Sequence, residues 1–139
     1  MEFVHKLYKS STTMDDLVIF VYAFGIEKFC RMKVNKLSGG QQQRLNAMLS
    51  LFHNPEILLL DELCNNLDLN IKQQIIAFIK TYIKLKNITA IIISHDVYEI
   101  SHMSNRVIVI KDRRIFFDDT IKNIQKGKKT LDTIVAESI

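Results

Sequence analysis

Leu37-Ser38-Gly39-Gly40-Gln41-Gln42-Gln43-Arg44 places two of the chain's four glycines side by side, after a serine and before a run of good helix formers. That arrangement builds an exposed helix N-terminus. Backbone N–H groups of a first turn point at an anion there, the helix dipole favours negative charge, and residues without a side chain let the anion approach closely. Ser38 adds a hydroxyl. Taken alone, the stretch also reads as a plain Ser-capped helix preceded by a turn, so the segments on either side decide its meaning.

Downstream, the expected helix runs from about Gly40 to Phe52 and is stopped by Asn54-Pro55. Ile57 to Leu60 is then an unbroken apolar run, the pattern of a central parallel strand covered on both faces, and it ends abruptly in Asp61-Glu62. Ligands of open α/β sheets bind at that strand edge. Ile71, Ile75, Ile76, Ile79, Tyr82 and Ile83 recur at helical spacing, as in a crossover helix. A second apolar strand, Ile88 to Ile93, ends in Ser94-His95-Asp96 and leads into a short helix around Val97 to Met103. Arg106 to Ile110 and Arg114 to Phe117 read as a closing hairpin although no glycine marks its turn, and helical pieces broken by Gly127 follow from Thr120.

Upstream, residues 1–36 read as helical. Phe3, Leu7 and Tyr8 mark one stretch; Asp15 or Asp16 opens a second that carries Leu17, Phe20, Val21 and Phe24 and ends at Gly25. Ile26 to Lys36 is a connector. The reading is thus an α/β core with a mainly parallel sheet behind a helical segment, divided into residues 1–52, 53–118 and a tail, 119–139.

Composition limits the function classes. With 139 residues, 47% hydrophobic and 24% charged, the chain is long enough to bury a sizeable core. Nineteen Lys and Arg against fifteen Asp and Glu give a net charge of +4. The basic residues are spread out, there is no Trp, and nucleic-acid binding is not indicated. Lys126 to Lys129 reads as a solvated tail. Cys30 and Cys64 lack metal-ligand spacing and fit reduced thiols or core filler. The longest apolar run, Leu17 to Ile26, is too short to span a bilayer.

Asp61 suits Mg²⁺, which takes hard oxygen ligands and keeps water and phosphate oxygens in its shell, and Glu62 beside it is placed to polarise an attacking water. Singly, each has an ordinary alternative: an acidic pair after a strand is often a cap and a turn. His95 is equally readable as a hydrogen-bonded turn residue, and Asn65, Asn66 and Asp68 as turn and capping chemistry.

Together they carry a resemblance. Leu-Ser-Gly-Gly-Gln at 37–41, the strand ending in Asp61-Glu62, Asn-Asn-Leu-Asp at 65–68 and Ile-Ser-His-Asp at 93–96 resemble, in order and separation, the second half of an ATP-binding cassette (ABC) transporter's nucleotide-binding domain. The implied fold is an incomplete P-loop NTPase-like core preceded by part of the helical subdomain that meets a permease. By resemblance, Ser38, Gly39, Gly40 and Gln41 are the signature motif contacting the γ-phosphate of an ATP held by the opposite domain of a dimer. Asp61 is then the Walker B aspartate acting through Mg²⁺, Glu62 the catalytic carboxylate, Asn65 to Asp68 the D-loop, and His95 the switch histidine.

Two departures qualify this. Leu63 and Cys64 stand where the family commonly has Pro and then Thr or Ser, and no Gly-x-x-x-x-Gly-Lys-Ser/Thr occurs in the chain. The sequence therefore resembles a truncated or split cassette that binds ATP poorly alone and exposes an apolar sheet edge and face. The implied function is that of an ATP-binding and ATP-hydrolysing transporter subunit, peripheral on the cytoplasmic face of a membrane. Its implied partners are a second nucleotide-binding domain and a permease. The alternatives are a non-hydrolysing module that donates its signature in trans, and a non-transport ABC ATPase.

Overall fold

The structure is a computed structural model and describes residues 13–52, 54–65, 67–127 and 129–137. The expected helix around Phe3, Leu7 and Tyr8 lies outside the described residues. The chain divides after Ile91 into two compact units, and each is built around its own elements.

The first unit opens with helix α1, Met14–Ala23. Its cap is Thr13, earlier than the acidic pair expected to start it, because Thr13 and Asp16 form a reciprocal capping box. The Asp16 N–H donates to Thr13 Oγ1 at 3.2 Å, and the Thr13 N–H donates to Asp16 Oδ2 at 2.9 Å. Asp16 is thus held inside the first turn. The helix stops at Gly25, which sits at φ 59°, where a side chain would also crowd Arg44.

After a 3₁₀ turn, Val34–Lys36, helix α2 spans Gly39–Phe52 and buries Ala47, Met48, Leu51 and Phe52. Asn54 follows at φ 48°, turning the chain into strand β1, Ile57–Asp61. Helix α3, Leu69–Lys86, is capped by Asp68, whose side chain accepts from the Ile71 N–H, and ends on Asn87 in the left-handed conformation. It leads into β2, Thr89–Ile93, the hydrogen-bonded neighbour of β1. The Thr89 N–H donates to the Glu56 carbonyl at 2.9 Å.

Aromatic rings form the centre of this unit. Phe20 lies 5.4 Å from Phe52, 5.2 Å from Phe78 and 5.2 Å from Tyr82, centroid to centroid, so α1, α2 and α3 converge on one ring. Below it, β1 turns Leu58 and Leu60 inward, 3% and 4% exposed.

Its other face differs from the expectation of a strand covered on both sides. Ile57 is 66% exposed and Leu59 61%. Helices pack against one face only, and among the described residues nothing covers the apolar side chains of the second.

The second unit continues through α4, Val97–Met103, the hairpin β3, Arg106–Lys111, with β4, Arg114–Thr120, and the short helices α5, Ile121–Lys126, and α6, Leu131–Ala136. The hairpin is antiparallel with a register shift between Val109 and Ile110. Asp112 and Arg113 make its turn at φ 50° and 63° without glycine. Two consecutive left-handed residues are what a type I′ hairpin requires. Val107, Ile124, Leu131 and Ile134 form the unit's core. Gly127 ends α5 as expected.

Two predictions follow from the capping box and the bare sheet face. The Thr13 N–H and hydroxyl beside Asp16 hold its carboxyl below its ordinary value of 3.8, so the stabilisation is present above that value and lost as pH falls through the depressed one. The stability gap between wild type and Asp16→Asn, read by urea unfolding, is therefore expected to be fully open at neutral pH and to close in acid. Replacing Ile57 and Leu59 together by Thr is expected to lower concentration-dependent light scattering with little change in Tm.

Candidate nucleotide site

Ser38 forms a second capping box. Its N–H donates to Gln41 Oε1 at 2.9 Å, and the Gln41 N–H donates to Ser38 Oγ at 3.3 Å. The Ser-x-x-Gln spacing of a capping box underlies it. The box fixes Ser38 and Gln41, while Gly39 and Gly40 occupy the first two helical positions. A Cβ built on Gly39 would meet nothing within 4 Å. Packing inside the chain therefore does not require glycine there, and the open side is available to an anion.

Arg44 braces the same helix. Its Nη1 donates to the Gly25 carbonyl at 3.1 Å and its guanidinium lies 4.9 Å from the Phe29 ring centroid. The start of α2 is thereby tied to the end of α1.

At the end of β1, Asp61 is exposed and Glu62 half-buried. Glu62 sits at φ 49°, a region that costs a non-glycine residue about 1–3 kcal/mol and persists only where neighbours over-determine it. Those neighbours are identifiable. Gln43 Nε2 donates to the Glu62 carbonyl at 2.5 Å, the Asn65 N–H donates to the same oxygen at 3.2 Å, and the Asn65 side-chain amide donates to the Glu62 carboxylate. Leu63 and Cys64, each 5% exposed, anchor the next two positions. A buried Leu-Cys pair thus occupies the two positions at which the resembled family commonly has Pro and then Thr or Ser.

Gly39, Gln43 and Asp61 all line one open hollow of roughly 460 Å³ between α2 and the bare side of β1. The structure therefore places the start of α2 and the acidic end of β1 on one open hollow. Asp68 is engaged as the cap of α3, its side chain accepting from the Ile71 N–H at 3.0 Å. His95 belongs to the second unit, exposed in the turn between β2 and α4. Its neighbours there are well fixed: Ser94 Oγ donates to Glu99 Oε2 at 2.8 Å and accepts from the Asp96 N–H at 3.0 Å, and Asp96 caps α4.

For a metal, the donor set is sparse: among the described residues no three His, Cys, Asp or Glu side chains converge. One exposed strand-end carboxylate is enough for Mg²⁺, which usually takes one or two carboxylates and completes its shell with water and phosphate oxygens. No described helix is long and apolar enough to cross a membrane.

The motif order and this geometry agree with comparison to known proteins. Residues 9–65 match the family model described as ABC transporter. Over 106 residues the chain is 36% identical to the spermidine/putrescine import ATP-binding protein PotA of Escherichia coli (strain K12), an alignment spanning 76% of this chain and 28% of PotA. The Shigella flexneri PotA matches to the same extent. Among solved structures, the dimeric structure of MJ0796, a bacterial ABC transporter cassette, superposes with a TM-score of 0.66 at 25% identity, covering 79% of this chain and 49% of that one. Its post-hydrolysis state bound to ADP and Pi gives a TM-score of 0.67 at 24% identity, covering 85% and 53%, and supports the fold. The chain thus spans about a quarter of the curated relatives and half of the solved cassettes. The family model, the curated relatives and the solved cassettes together support an ABC transporter nucleotide-binding domain, to which this chain corresponds in part.

Proposed function

We propose that the chain acts in an ABC transporter ATPase, contributing the signature, Walker B, D-loop and switch-histidine parts of a nucleotide site. The observation that carries this is the pairing, within one unit, of an open Gly39–Gly40 helix start with an exposed carboxylate at the end of β1, two groups that in a dimer face two different nucleotides. In this reading Ser38, Gly39, Gly40 and Gln41 contact the γ-phosphate of an ATP bound mainly to a second nucleotide-binding domain. Asp61 holds Mg²⁺, which when bound neutralises phosphate charge. Glu62 orients and deprotonates the attacking water, Asp68 closes the D-loop against the dimer partner, and His95 donates a hydrogen bond toward the γ-phosphate.

An import ATP-binding protein and a dimeric transporter cassette among the similar proteins support a role in transport; in this reading the chain sits peripherally on the cytoplasmic face of a membrane, and ATP closure of the dimer drives a separate permease. Nothing in the composition supports nucleic acid as a partner. Because the chain holds no Gly-x-x-x-x-Gly-Lys-Ser/Thr, the phosphate cradle of its own site comes from another segment or another polypeptide.

A second reading is favoured by that same sequence fact: the chain donates Ser38 to Gln41 in trans and does not hydrolyse ATP with its own carboxylates. Phosphate release from mixtures with a P-loop-bearing cassette polypeptide separates the two. Glu62→Gln is expected to lower turnover by about 10² to 10⁴ if the hydrolytic reading holds. Full turnover with Glu62→Gln, together with loss on Gly39→Asp, would leave only the donor role.

A further inference from the structure

We infer that Gln43 is a positioning residue that couples the signature helix to the conformation of Glu62. This rests on the reading of Glu62 as the hydrolytic carboxylate. Gln43 lies one helical turn beyond the Gly39–Gly40 start of α2, yet its side chain reaches across nineteen positions to the Glu62 carbonyl, with Nε2 2.5 Å from the oxygen. The acceptor belongs to a residue at φ 49°. An unheld glutamate relaxes to the ordinary α or β region, and the direction of its side chain changes with the backbone.

The carbonyl of Glu62 is pinned from two sides: Gln43 on α2 and the Asn65 N–H in the following turn, 3.2 Å away. Asn65 also donates its side-chain amide to the Glu62 carboxylate. The Asn65 bonds are local and travel with the loop. The Gln43 bond ties Glu62 directly to α2, whose first turn is the proposed signature, while Leu63 and Cys64 bury the next two positions of the loop. A displacement at Gly39 and Gly40 therefore reaches Glu62 through one turn of helix and one hydrogen bond. In a dimer where the signature faces one nucleotide and Glu62 another, Gln43 links the two sites within a single chain.

The test has one arm free of ATP hydrolysis. In the full chain, isotope-labelled for NMR, wild-type Glu62 should give the strong intraresidue amide-to-Hα NOE of a left-handed residue. Gln43→Met keeps the size of the side chain and removes the donor. It is expected to weaken that NOE and shift the Asn65 side-chain amide while leaving the buried Met48 and Leu51 methyls in place. Gln43→Lys retains a donor of similar reach and should restore the wild-type signals.

An unchanged Glu62 signature in Gln43→Met would overturn the inference. Should Gln43→Met not fold, Gln43→Lys decides: Glu62 signals in place support the role of the donor, and a folded variant with displaced signals refutes it. In phosphate-release assays with the P-loop-bearing polypeptide, Gln43→Met should lower kcat about 10- to 100-fold with KM unchanged and with recovery in Gln43→Lys. An unaltered kcat rejects the coupling. Glu62→Gln, run in parallel, reports on the hydrolytic reading itself: if it retains full turnover that reading fails, while the NMR arm still decides what Gln43 holds.

Discussion

A strand with two apolar faces and only one of them packed is the constraint on which the first unit depends. Leu58 and Leu60 are driven inward, 3% and 4% exposed, in the unit whose helices converge on the Phe20 ring, and that burial constrains how α2 lies along β1. Strand alternation then leaves Ile57, Leu59 and Asp61 together on the opposite face. The acidic end and the bare apolar side are therefore one consequence of one register. A slip by one residue would bury Asp61 and expose Leu58 and Leu60, so the hydrophobic pattern that folds the unit also aims its carboxylate.

The same packing sets the distance between signature and strand end. Helix α2 is anchored at its far end by Met48, Leu51 and Phe52, none more than 1% exposed, while its first turn is left open. Arg44 and Gln43, one turn along, reach out to the Gly25 and Glu62 carbonyls. Polar bonds thus span the open end of an element whose other end is locked by hydrophobic burial. Glu62 needs such support because its backbone conformation is one that no β or α neighbour would impose.

Much of this could be read from residue order. The Ser-Gly-Gly turn, the strand ending in Asp61-Glu62, the crossover helix and the second strand ending at Ile93 all follow from periodicity and stop signals, and the motif series carries the family resemblance. What escaped the sequence has physical reasons. Thr13, and not Asp16, starts α1 because reciprocal capping assigns the acid to the third helical position. The hairpin turn at Asp112 and Arg113 adopts left-handed backbone without glycine, so composition gave no sign of its geometry. An apolar run says that a strand can be buried on two faces, not which of them finds a cover. The bond from Gln43 to Glu62 joins positions nineteen apart through a side chain that reads as one of three identical glutamines, and no local pattern marks it.

On the proposed reading this chain supplies a signature helix start and an acidic strand edge to the nucleotide sites of a dimer but no phosphate cradle. Calorimetric titration of Mg-ATP into the isolated chain tests it most directly. Without a P-loop, a few backbone N–H groups and one carboxylate should give no saturable binding tighter than about 1 mM, equivalent to roughly 4 kcal/mol. Saturation at micromolar ATP, abolished by Asp61→Asn, would contradict the account by showing that the chain builds a complete site on its own.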